Sequence, residues 1–541
     1  MSVSSIAAAT LKHWLRDGSE LALIDVREQG DYFHQHLLFA SCVPFSRLEL
    51  LIDDLVPRRD VRLVVCDGGP ADQGLANRAA AILQAHDYSD VTVLEQGVEG
   101  WQAAGYELFS GINVPSKAFG EIVEQHCGTP HISAQELHSK LAQGEPLVIL
   151  DSRPMNEFQR MSIPGGIDCP GAELVYRVQE LAPDASTPVV VNCAGRTRSI
   201  IGAQSLRNAG LPNPVVALKD GTMGWALAGL ELAHGQTEHA PEPSEQGLAI
   251  ALERAEQVAR RCGVGWLDPA GLSTWQEEAG QHSLYLLDVR TPAEYEAGHL
   301  PGSRNAPGGQ LVQATDEYIA TRNARVVLID DTYVRALMTA SWLLQMGWTE
   351  VRVLRSDGFS GMNLVSGSHQ PAVLGLRSQP TLTATQLHAC LADETAVVLD
   401  FSTSLVYRQG HIPGAWWALR GRLQPVVEQL QALPVTPSRL ICTADQDALA
   451  HLAASDLGEL CPRSMNLTIA VLAGGNAAWR EAGYDFSQDD EQFTSEPNEV
   501  WYKPYEHRGA VEQAMRDYLT WEVNLVEQIE RDGDARFNPL V

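Results

Sequence analysis

Several short stretches of this chain are apolar at nearly every position, without the alternation of a half-exposed strand. Four of them end on an acid: Leu21–Arg27 (LALIDVR), Leu147–Arg153 (LVILDSR), Leu284–Arg290 (LYLLDVR) and Ala396–Ser402 (AVVLDFS). Continuous apolar runs this short suit strands covered on both faces, as in a parallel sheet. The acids Asp25, Asp151, Asp288 and Asp400 lie 126, 137 and 112 residues apart. That spacing is the size of a domain, too long for a solenoid repeat.

Each unit continues in the same way. A helical turn leads to a G-H-x-P-G turn, intact at 298–302 and 410–414, reduced to Ser162-Ile-Pro-Gly165 in unit two and lost at His36–Ala40 in unit one. A second buried strand follows, at Val61–Cys66, Pro188–Cys193, Arg325–Asp330 and Arg439–Cys442, then a loop, a helix and a third strand. Three units close on a glycine turn and a tryptophan (Trp101, Trp225, Trp479), which we read as packing elements; Met362 takes that place in unit three. Ser133-Ala-Gln-Glu136 and Thr383-Ala-Thr-Gln386 are capping boxes that open helices.

Strands alternating with helices predict an α/β fold of four tandem units, each a parallel sheet with helices on both faces. The expected domains are 1–113, 130–235, 264–375 and 380–487, with a helical segment at 496–541. In that last segment Tyr518, Trp521, Leu525 and Ile529 recur at helical spacing, as an amphipathic helix packing back on the units requires. The Pro/Glu-rich stretch Gln236–Gly247 reads as a linker dividing the chain into pairs one–two and three–four.

Composition narrows the function classes. Apolar residues are 45% and charged residues 20% of 541, as in a globular protein, and the net charge is −29. Such an acid excess repels nucleic acid and anionic lipid. The nine cysteines show no CxxC spacing, which suits a reducing compartment. Met1–Leu15 lacks a basic segment and a sufficient apolar run, so no secretory signal is expected there and the cytoplasm is the expected location. His34, His36 and His126 lack zinc-ligand spacing, and no phosphate-binding glycine loop follows a strand. Neither a metal nor an organic cofactor is called for.

The chemistry concentrates after the second strand of unit two. Cys193 ends that strand and is followed by Ala194, Gly195, Arg196, Thr197, Arg198 and Ser199, and then by a helix. Loop amides and a helix N-terminus stabilise an anion, and two guanidiniums add permanent charge. All of these favour the thiolate, the nucleophilic form.

The D-x-R strand ends, the G-H-x-P-G turn, the cysteine loop and the closing G-x-x-G-W together resemble rhodanese domains over nearly all of residues 1–487. The architecture is similar to bacterial proteins with four such domains. The resemblance implies a sulfurtransferase in which Cys193 takes sulfane sulfur from thiosulfate or a like donor, holds it as a persulfide, and passes it to cyanide, a thiol or a protein acceptor. It implies too that Ala194–Ser199, with Arg196 and Arg198, cradle the donor. Cell-cycle phosphatases of the same fold carry C-x5-R, and the C-x4-R here is the tighter loop. A cysteine-dependent phosphatase or arsenate reductase, and a non-enzymatic persulfide carrier or regulatory module, are the rival readings.

The other loops are degenerate. Cys66 is followed by Asp67 and an acidic loop, Asp330 replaces cysteine in unit three, and Cys442 is followed by Asp445 and Asp447. Asp151 and Arg153, like Asp288 and Arg290, read as structural support, tying a strand end to the next helix through Glu157 or Glu294.

Overall fold

In the computed structural model, which describes residues 3–540 except 73, 436 and 508, each acid-ended run is an inner strand of a parallel sheet. In unit two the order is His131–Ile132, Val215–Leu218, Val189–Asn192, Val148–Asp151, Ile167–Asp168. Units three and four repeat that order. Asp151 is in register with Asn192, so the two central strands end level and the Cys193 loop rises beside Asp151. The four α/β units and the C-terminal helix, Val511–Asp532, are therefore present as expected.

Local signals act as anticipated. Both capping boxes form, at Ser133 and Thr383. The three closing tryptophans are buried, and each indole N–H donates to a carbonyl six residues on. The turn histidines are structural: His299 and His411 stack on Tyr295 and Tyr407 with ring centroids 3.7 Å apart. His36 does the same with Tyr32 at 3.9 Å, although its turn has lost the glycine–proline pattern.

The pairing of units differs from the sequence reading. One apolar core runs from unit two into unit three, joining Leu174 and Val191 to Tyr285, Leu328 and Leu337. The last residues of the expected linker, Gln236–Gly247, are already helical: Ser244 caps a helix over Glu245–Cys262. This helix packs against Glu173–Leu181 of unit two and Val334–Gln345 of unit three. Ala251, Ala255 and Ala259, one turn apart, are buried there and let the neighbours approach closely. Units one and four meet similarly: Leu50 enters the core of unit four, and Arg420 holds Glu49 bidentately at 2.6 and 2.7 Å. Unit three also lends Thr321–Arg322 to the sheet of unit one, antiparallel to Leu21–Asp25.

A linking helix, Val114–Cys127, joins units one and two, and the C-terminal helix lies across it. Leu525 and Ile529 are buried with Leu38, Phe109 and Val114. Lys12 fixes the far end through Asp532 and Asp534, at 2.8 and 2.6 Å. No helix among the described residues is long and apolar enough to cross a membrane.

Candidate active site

Cys193 follows the strand Val189–Asn192, and the helix Thr197–Asn208 starts four residues later. The closing turn of the unit grips the loop from below. Thr222 N–H donates to the Cys193 carbonyl at 2.8 Å and Met223 N–H to the Ala194 carbonyl at 3.0 Å. A trans peptide sets its N–H opposite its C=O, so the amides of Ala194 and Gly195 point away from that turn. Gly221 makes the grip possible: at φ +57°, a Cβ there would lie 2.3 Å from the Cys193 carbonyl oxygen. The Cys193 thiol donates to the Ser199 hydroxyl at 3.5 Å, which donates to the Arg196 carbonyl at 2.7 Å.

The two arginines diverge. Arg198 forms a fork with Glu157 at 2.9 and 3.0 Å and reaches Gln310 of unit three at 3.4 Å. It is the charge that lowers the Cys193 thiol. Arg196 turns instead to the linking helix, gripping Glu121 at 2.7 Å through two nitrogens, with Glu124 and Asp220 as further partners. Glu121 is buried, and an unpaired carboxylate there would be costly. The sequence reading set both guanidiniums in the cradle, whereas this geometry makes Arg196 a clamp between loop and linking helix.

Asp151 and Arg153 support the strand end, with partners other than those expected. Arg153 pairs with its own Asp151 at 2.7 and 2.8 Å and donates to the Met161 carbonyl at 2.6 Å. Asp151 also accepts from Asn192, the residue before Cys193, at 2.8 Å. Glu157 is taken by Arg198, and Glu294 by Arg335 of its own unit.

Three residues that the sequence reading did not connect with the site complete the surroundings. Lys117 of the linking helix and Tyr518 and Glu522 of the C-terminal helix cover the loop. A Cβ on Gly195 would lie 3.2 Å from Glu522 Oε2 and 3.4 Å from the Tyr518 ring. Thr197 donates to Glu522 at 3.1 Å, and the Lys117 ammonium donates to Tyr518 Oη at 2.6 Å. Under this cover Cys193 is only 2% exposed. Burial pushes its thiol up, Arg198 and Ser199 act against that, and the Glu522 carboxylate adds to the rise. The cover thus works against the thiolate, and the cations around it are each matched by acids.

The other loops show why they differ. In unit one Asp67 accepts from the amides of Gly69 and Ala76, at 3.0 and 2.9 Å. In unit three Asp330 accepts from Arg335 and Ala336, at 2.9 and 3.3 Å. The chain's own carboxylate fills the place an anion would take. Burial raises the Cys66 and Cys442 thiols, with Asp25 and Asp67 adding to it at Cys66.

The model of the rhodanese-like domain matches residues 7–104, 133–228, 268–362 and 383–482. A crystal structure of thiosulfate sulfurtransferase from Pseudomonas aeruginosa is 46% identical, covers 100% of both chains and superposes with a TM-score of 0.94. Among curated proteins, an HTH-type transcriptional regulator of Mycobacterium tuberculosis is 36% identical over 112 residues, 20% of this chain and 47% of that one. The uncharacterized protein YqhL of Bacillus subtilis is 38% identical over 77 residues, 14% of this chain and 60% of that one. The chain thus spans about half the length of these curated relatives.

Proposed function

Because the chain belongs to the rhodanese family and is a sulfurtransferase moving sulfane sulfur through a cysteine, we propose that Cys193 is that cysteine and thiosulfate its donor. The observation that carries this is the loop of unit two. Among the described residues it alone joins a strand-end cysteine to a basic loop and a helix N-terminus, and no carboxylate there accepts from the amides of Ala194–Ser199.

The Cys193 thiolate attacks the outer sulfur of thiosulfate. A sulfur–sulfur bond forms to Cys193, the donor's sulfur–sulfur bond breaks, and its electron pair leaves on sulfite. Arg198 and the amides of Ala194 and Gly195 hold the charge that passes through the loop. An acceptor thiolate, cyanide or a protein cysteine then attacks the terminal sulfur and restores the Cys193 thiolate. Thr197 and Ser199 fix the loop, and Asp151 with Arg153 fixes the strand end through Asn192. All nine cysteines are unpaired, which supports work in a reducing compartment such as the cytoplasm.

Intact-mass measurement after incubation with thiosulfate tests the reading. The protein should gain one sulfur, and Cys193→Ser should gain none. A sulfur adduct that persists in Cys193→Ser would place the chemistry elsewhere.

A further inference from the structure

Ligands of open parallel sheets lie beyond the carboxyl ends of the strands, and this fold has two such crevices between facing units. The one between units two and three is nearly filled, with about 30 Å³ left beside Arg198 and Gln313. The one between units one and four keeps about 190 Å³. Its floor is apolar, from Leu51, Phe401, Leu419 and Leu449, and two acids face the space, Glu28 and Glu499.

Each of these glutamates is only 7% exposed. Glu28 accepts from the Ser46 hydroxyl at 2.9 Å. Glu499 spends Oε1 on the Ser404 amide at 2.6 Å, and its Oε2 has no partner among the described residues. The neighbouring cations hydrogen-bond to other groups, and Arg408, which feels the charge of Glu499, holds Asp490 and Tyr502. Arg420 serves Glu49 and Asp456, and Arg422 serves Asp31 and Asn498. Arg47, at the wall, reaches Asp445 at 3.4 Å. Burial and the nearby Glu499 push Glu28 up to about 7, with Ser46 and Arg422 opposing. Two buried carboxylates over an apolar floor, one with a free oxygen, are costly without a counter-charge.

We propose that the crevice between units one and four binds a small aliphatic cation, an ammonium or guanidinium group on a short hydrocarbon body. The charged group bridges Glu28 and Glu499 and the hydrocarbon lies on Phe401 and Leu449. The crevice lining shares no residue with the Cys193 loop or its cover.

Thermal unfolding and calorimetry of the full chain, with 1,4-diaminobutane and agmatine as probes and 1,4-butanediol as the neutral control, test it. The cations should raise Tm saturably and the diol should not. Glu499→Gln and Glu28→Gln should each weaken binding by at least about tenfold, the cost of one charged contact. Leu449→Trp, which fills the floor but keeps both acids, should abolish binding, and Cys193→Ser should leave it intact. No saturable stabilisation of the wild type, unchanged affinity in Glu499→Gln, or equal protection by potassium chloride would each overturn the proposal.

Discussion

Replacing Arg196 by alanine separates a clamp from a substrate cradle. The guanidinium meets three carboxylates, with Glu121 held through two nitrogens at 2.7 Å and Asp220 at 3.1 Å. Glu121 is buried, so Arg196→Ala leaves a carboxylate without a counter-charge. Removing one partner of such a pair costs about 3–5 kcal/mol. For the body formed by units two and three, which share a core, each kcal/mol is worth about 2–4 °C, so Tm should fall on the order of 6–20 °C. Glu121→Ala should be less harmful in the Arg196→Ala background, with a coupling energy of roughly 2 kcal/mol in a double-mutant cycle. Thermal unfolding, with steady-state sulfur transfer measured well below Tm, reads both effects. A variant that keeps its Tm but loses affinity for thiosulfate would refute the clamp and return Arg196 to the donor.

Other expectations follow from the same geometry. Glu522→Gln should lower the Cys193 thiol and speed its alkylation at mildly alkaline pH by roughly three- to tenfold; an unchanged rate–pH profile would remove Glu522 from the site's electrostatics. Burial opposes ionisation of Glu157, but Arg198, Lys503 and Arg153 bring it down to about 2. Its contribution to stability is therefore full above the usual glutamate value and lost as pH falls from about 4.5 to 2, worth about 2–3 kcal/mol; Glu157→Gln should flatten that limb of a pH–stability curve. Gly221→Ala should cost about 1–3 kcal/mol and reduce sulfur transfer, because the new Cβ meets the Cys193 carbonyl at positive φ. Asp330→Cys should acquire no persulfide in mass spectra, since Arg335 remains bound to Glu173, Glu294 and Asp331.

What the chain discloses on its own is local. Apolar runs, capping boxes and the Cys193 loop are contiguous, so periodicity and residue chemistry reveal the strands and the candidate nucleophile. Lys117 and Glu522 were out of reach, because they meet each other across 405 residues, which leaves no pattern along the sequence. The partner of Arg196 was hidden for the same reason: proximity to a cysteine in sequence could not disclose Glu121, 75 residues upstream, which pairs with its side chain. The linker reading failed because Pro- and Glu-rich composition marks Gln236–Gly247 as a boundary, whereas the small residues just after it join units two and three.

The cover over Cys193 also has a history within each molecule's synthesis. Unit two ends near residue 235, but Tyr518 and Glu522 are translated almost 300 residues later. At about 5–20 residues per second, the nascent chain presents the Cys193 loop without its C-terminal helix for roughly 15–60 s. Oxidants or electrophiles that spare the finished protein would find the thiol during that interval. Damage at Cys193 should then scale with ribosome pausing in the second half of the message.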